Sequence, residues 1–185
     1  MRTASALLLT LGCLSAPAQS QTALETSLNI CWSCHGAEGR PKDPTIPIIW
    51  GQQAKYIEKQ LRDYRSGDRD SQIMSSMAES VRRDDIQGVA AFVAQKNWPA
   101  RPAATSSPPP DAVAACAGCH AENLMGGASP EGAAPRLAGQ TAEYLEEEMK
   151  IFARGERAKQ PTMTAMMKSL SPEERAKIAR FLSQL

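Results

Sequence analysis

Apolar side chains at Tyr56, Ile57, Leu61 and Tyr64 return to one face of a helix, and the run stops at Gly67, a residue suited to a left-handed helix end. The pattern recurs later. An offset of 88 carries these positions onto Tyr144, Leu145, Met149, Phe152 and Gly155, and carries Arg69 onto Arg157. At an offset of 89, Val89-Ala90-Ala91-Phe92 meets Ile178-Ala179-Arg180-Phe181. Such self-similarity predicts a duplicated unit. Thr22-x-x-Glu25 reads as a capping box opening a short helix that runs into Cys31, and Asp111 as the cap of its shorter counterpart before Cys116. Ser171-Pro172-Glu173-Glu174 combines a cap, a first-turn proline and a capping-box glutamate, and opens a last helix. No stretch shows a sustained β-branched alternation, so the expected class is all-α.

Two segments break this pattern. Residues 1–18, MRTASALLLTLGCLSAPA, place Arg2 before an apolar run from Leu7 to Leu14 and end in Ala16-Pro17-Ala18, the small-x-small form of a signal peptidase site. Export with cleavage after Ala18 is expected, into the periplasm. A lipoprotein anchored through Cys13 is the weaker alternative, because Thr10-Leu11-Gly12 fits a lipobox poorly. Residues 98–110, WPARPAATSSPPP, hold five prolines. A segment of that kind favours extended polyproline geometry and serves as a semi-rigid tether. The expected organisation is thus a signal peptide over 1–18, a first domain over 19–97, a linker over 98–110 and a second domain over 111–185.

Composition narrows the choice of function. The whole chain has formal net charge +1, and loss of Arg2 makes the exported part neutral, which argues against nucleic acid as a partner. There are only three residues each of Trp, Tyr and Phe, so two domains of about 80 residues have little bulky material for a core and need a staple.

That staple is legible in CWSCH at 31–35 and CAGCH at 116–120, two copies of C-x-x-C-H at an offset of 85. The two motifs use both histidines of the chain and every cysteine beyond the signal segment. Two thiols so spaced can form thioether bonds to the vinyl groups of haem while the adjacent imidazole reaches the iron, the recognised pattern of c-type haem attachment. A disulfide across each two-residue spacer is the plainer alternative, but it leaves the histidines unexplained. Zinc would ordinarily bring two such pairs into one unit. The reading is therefore two covalent haems, through Cys31, Cys34 and His35 and through Cys116, Cys119 and His120.

With CWSCHGAEG, Pro47…Gly51-Gln52, Pro135-Arg136-Leu137-Ala138-Gly139-Gln140, the Tyr-containing helices and a closing Met-rich loop and helix, the chain resembles the two-domain di-haem cytochromes c of the cytochrome c4 type over nearly all of its exported length. The resemblance implies tandem class I cytochrome c domains related by pseudo-twofold symmetry. It also implies backbone carbonyls of Pro47 and Pro135 offered to the histidines, and single-electron transfer without catalysis, from a quinol-oxidising complex to a terminal oxidase, with peripheral contact with the membrane. Related chains serve as cytochrome subunits of periplasmic dehydrogenases such as flavocytochrome sulfide dehydrogenases. A haem enzyme such as a peroxidase would need a displaceable sixth ligand. For that ligand the repeat leaves two equivalent methionine pairs, Met74 with Met163 and Met77 with Met166. The resemblance selects Met74 and Met163, with the other pair as fallback. Ala121 stands where the first copy has Gly36, three extra residues separate the second motif from its proline, and Trp50 stands opposite Ala138. Trp50 reads as core, and Tyr56 and Tyr144 as helix-packing residues.

Overall fold

The computed structural model describes residues 28–99 and 108–185. The signal segment with Cys13, the Thr22–Glu25 box and most of the linker lie outside the described residues. The first half runs α1 (28–35), α2 (Ala54–Ser66), α3 (Gln72–Ser80), a 3-10 turn Arg83–Asp85 and α4 (Ile86–Ala94). The second half runs a 3-10 helix Asp111–Cys116 into α5 (Ala117–His120), a hairpin of β1 (Gly127–Ser129) and β2 (Gly132–Ala134), then α6 (Ala142–Arg154), α7 (Pro161–Ser169) and α8 (Pro172–Leu182).

Each half has its own apolar core. In the first, Ile57 and Leu61 of α2 meet Ala78, Ile86, Val89 and Val93; in the second, Leu145, Met149 and Phe152 of α6 meet Met167, Ile178 and Leu182. The helix ends behave as the pattern predicts. Gly67 and Gly155 take left-handed φ of 76° and 79° at the ends of α2 and α6. Ser171 and Glu174 form a reciprocal capping box, with Pro172 in the first turn of α8.

Two local expectations need correction. Asp111 is not a cap: the 3-10 helix that it begins has Pro110 at the cap position and no side-chain capping bond, so Asp111 contributes only first-turn negative charge. And the helical fold carries a small antiparallel hairpin, pairing Gly127 with Ala134, Ala128 with Ala133 and Ser129 with Gly132. It occupies the stretch where the second half has three residues more than the first, too short and too rich in Gly and Ala to show any strand alternation. β2 lies against α2 of the other half.

The halves are joined by polar contacts that follow the repeat. Gln60 and Glu148 are equivalent positions, as are Arg69 and Arg157. Arg69 donates to Gln60 Oε1 at 2.7 Å within its half and pairs with Glu148 across the interface; Arg157 donates to Glu148 Oε2 at 2.7 Å within its half and to Gln60 Oε1 at 2.6 Å across it. Both guanidinium groups are buried. Trp98 also docks rather than tethers: Arg136 stacks 4.3 Å over its ring, and the backbone at Gly139 comes so close that an added Cβ would lie 2.9 Å from the indole nitrogen.

Candidate functional site

The first C-x-x-C-H sits on the last turns of α1, which places Cys31, Cys34 and His35 on one short helical segment. Gly36 ends that helix with φ 84°, its N–H bonded to Trp32 O at 3.0 Å, and an added Cβ would meet Arg40 O at 2.3 Å. Only glycine fits there. The second motif ends instead in Ala121, which takes φ 65° and ψ 158°, a conformation essentially reserved for glycine. The hairpin that follows turns the chain back, and Gly126 N bonds His120 O at 2.9 Å.

Both imidazoles are buried, His35 at 7% and His120 at 4% exposure. Their Nδ1 atoms lie 2.8 Å from Pro47 O and Pro135 O. A carbonyl can only accept, so Nδ1 carries the proton in each ring and Nε2 keeps its lone pair for a metal. Burial holds both imidazoles below their ordinary pKa, opposed by the proline carbonyls, and so favours the neutral form that ligation needs. Burial likewise raises the thiols of Cys31 and Cys116, while Cys34 is exposed. Among the described residues no disulfide joins the four cysteines, and no cluster of three or more His, Cys, Asp or Glu is arranged to hold an ion.

Beside His120 lies a largely apolar cavity, part of it open to solvent. Cys116, Cys119, His120, Met163, Met166 and Phe152 line it, and so do Ile48, Tyr56 and Gln60 of the first half. Arg157 lines it too, and its buried Nε has no hydrogen-bond partner among the described residues. Attachment thiols, a neutral imidazole, thioethers, an apolar wall and a buried cation with an unused donor form the donor set that a haem with its carboxylates requires. In the first half Met74 is half-buried against the core, whereas Met77 lies at the surface. In the second half Met163 and Met166 both reach the cavity and Met167 is core.

Trp50 is a packing residue, its ring edge-on to Trp32 at 5.5 Å and against the backbone of Gly39. Tyr144 accepts a hydrogen bond from Arg69 at 3.0 Å and belongs to the polar interface. Sequence reasoning missed the Gln60, Arg69, Glu148 and Arg157 cluster. The signal was available: extended to positions 60 and 148, the same offset pairs a glutamine with a glutamate between two equivalent arginines.

Helical units carrying C-x-x-C-H, each with a buried histidine bound to a proline carbonyl and a methionine-bearing helix, define a c-type cytochrome of the class I kind. A cytochrome c family model matches residues 112–185. Cytochrome c4 of Thiocapsa roseopersicina is 31% identical over 84% of this chain and 87% of its own length. The thiosulfate dehydrogenase electron acceptor of Stutzerimonas stutzeri is 30% identical over 84% of this chain and 78% of its own. The solved cytochrome c4 of Acidithiobacillus ferrooxidans superposes with a TM-score of 0.69, at 26% identity, over 85% of this chain and 99% of that one. The chain belongs to the cytochrome c4 family. It is a haem-binding electron-transfer cytochrome, an electron carrier and not a catalytic enzyme.

Proposed function

We propose that the chain carries two covalent haems, one per half, and moves single electrons in the periplasm from a quinol-oxidising complex to a terminal oxidase. The observation that carries this reading is the repetition of one arrangement: in each half a C-x-x-C-H histidine, buried and neutral, donates to a proline carbonyl. Cys31, Cys34, Cys116 and Cys119 supply the thioethers, His35 and His120 the proximal ligands, and Met74 and Met163 the sixth ligands. The domains span 19–97 and 111–185, joined by 98–110, after removal of 1–18. When bound, the haem iron cycles between ferric and ferrous, and thioether ligation raises its potential. The protein's part is to orient the imidazoles, exclude water with its apolar walls and place Arg157 at the cavity. The greater burial of Met74 than of Met77 supports the choice of sixth ligand in the first half.

A second reading, an acceptor for a periplasmic dehydrogenase, is favoured by the likeness to a thiosulfate dehydrogenase electron acceptor. Among the described residues no helix is long and apolar enough to cross a membrane.

Intact mass of the exported protein should exceed the cleaved chain by two haems, and a redox titration should show two one-electron steps. A mass matching two disulfides and no haem would refute the proposal. Met74→Leu and Met163→Leu should each abolish the charge-transfer band of one Met-ligated ferric haem and lower one midpoint potential. Loss of those features with Met77→Leu or Met166→Leu instead would move the sixth ligand to the other pair. Rapid oxidation of the reduced protein by oxidase-bearing membranes, against rapid reduction by a thiosulfate dehydrogenase, separates the two readings.

A further inference from the structure

The Gly-Gln pair that recurs after each proline does not serve its own half. Gln52 Nε2 donates to Arg136 O at 3.0 Å, and Gln52 Oε1 accepts from Arg136 N at 2.7 Å. Gln140 does the same in reverse, Nε2 to Ile48 O at 2.9 Å and Oε1 from Ile48 N at 2.9 Å. Each Oε1 also accepts from the next backbone N–H of its own chain segment, Gln53 N at 2.9 Å and Thr141 N at 3.0 Å, which holds the amide in one orientation. Both glutamines are buried, at 4% and 2% exposure.

Arg136 follows Pro135, and Ile48 follows Pro47. The N–H that each glutamine accepts from therefore belongs to the same peptide unit as the carbonyl that accepts from the histidine, and such a unit is a rigid plane. One end of the Pro135–Arg136 peptide is held by Gln52 and the other receives His120 Nδ1–H; one end of the Pro47–Ile48 peptide is held by Gln140 and the other receives His35 Nδ1–H. Drawing on the N–H of an amide polarises its carbonyl as an acceptor, so the glutamine both aims and strengthens the bond that orients the imidazole. We infer that the two halves orient each other's proximal histidines: Gln52 is the positioning residue for His120, and Gln140 for His35. The inference rests on the reading of both histidines as iron ligands. Its consequence is that the electronic setting of each site depends on the docked state of the other half.

The chain has only two histidines, so 15N-histidine labelling of the reduced holoprotein gives two Nδ1–H resonances, one per site. Gln52→Met keeps the volume and removes both cross-half bonds. It should shift the His120 resonance and one midpoint potential, and speed exchange of that ring proton roughly tenfold, the scale of about one lost hydrogen bond, while His35 stays in place. Gln140→Met should give the mirror result. Lys159→Met is the control, because Lys159 pairs with Asp68 across the same interface without touching either histidine or either proline peptide. It should move neither ring proton. If Gln52→Met does not accumulate, Gln52→Glu gives Arg136 N–H a charged, stronger acceptor and should shift the His120 resonance alone, in the direction opposite to a lost bond. Effects on the histidine of the variant's own half, on both equally, or reproduced by Lys159→Met would overturn the crossed assignment. Haem count by intact mass in the same samples tests the underlying reading separately.

Discussion

Ala121 pays the conformational cost that Gly36 avoids in the first half. Its φ of 65° with ψ of 158° lies in a region that costs a residue bearing a Cβ on the order of 1–3 kcal/mol. The hairpin after it imposes this geometry, since Gly126 N–H must reach back to His120 O. Ala121→Gly relieves the backbone strain but loosens the unfolded chain, two effects of opposite sign. The net expectation is a gain of about 1 kcal/mol in holoprotein stability, measured by guanidinium denaturation, with the absorption spectrum unchanged. The substitution of Ala for Gly was plain in the sequence; the strain was not, because it depends on backbone dihedrals that the following hairpin dictates.

The elements most faithfully announced by their residues are those whose ends are closed locally. α8 begins where Ser171, Pro172 and Glu174 say it should, because all partners of a capping box lie within four residues. Ser171→Ala should cost about 1 kcal/mol, read as a lower thermal midpoint. The box also carries a pH signature. Hydrogen bonds from the Ser171 backbone and then from its side chain hold the exposed Glu174 carboxyl below its ordinary 4.5. Its contribution is therefore complete above pH 4.5 and fades as the pH falls through the lowered folded-state value. In Ser171→Ala the acid limb of the stability profile should be flatter over that range. The hairpin illustrates the opposite case. Three-residue strands of Gly, Ala and Ser have no periodicity to read, and they form because the second half must fit three additional residues between His120 and Pro135 while lying on α2.

Between the two halves, two buried guanidinium groups share one carboxylate, Glu148, with Gln60 supplying the neutral acceptor at the equivalent position. Glu148→Gln leaves both arginines without a counter-charge. Removing one partner of a buried ionic cluster costs several kcal/mol; with hydrogen bonding retained, a loss of about 3 kcal/mol is expected, seen as a lower guanidinium midpoint with an unchanged slope. A change below about 0.5 kcal/mol would mean that the cluster is solvated rather than structural.

The repeat, the helices and the two C-x-x-C-H motifs could be drawn from residue order, since each depends on near neighbours: helical period, capping, and thiols and imidazole within five positions; the proline carbonyls, 12 and 15 residues from their histidines, came only from the family resemblance. Residue order left Met74 and Met77 equivalent within the repeat, and folding buries Met74 more deeply than Met77. Residue order did not show the roles of Gln52 and Gln140, or of the arginines at 69 and 157, either. Their partners lie 84 and 92 residues away for the glutamines and 79 and 97 for the arginines, so no local pattern registers the pairing. What folding adds is the juxtaposition of two equivalent surfaces, on which a buried amide or guanidinium completes its hydrogen bonds in the opposite half because water is excluded from the interface.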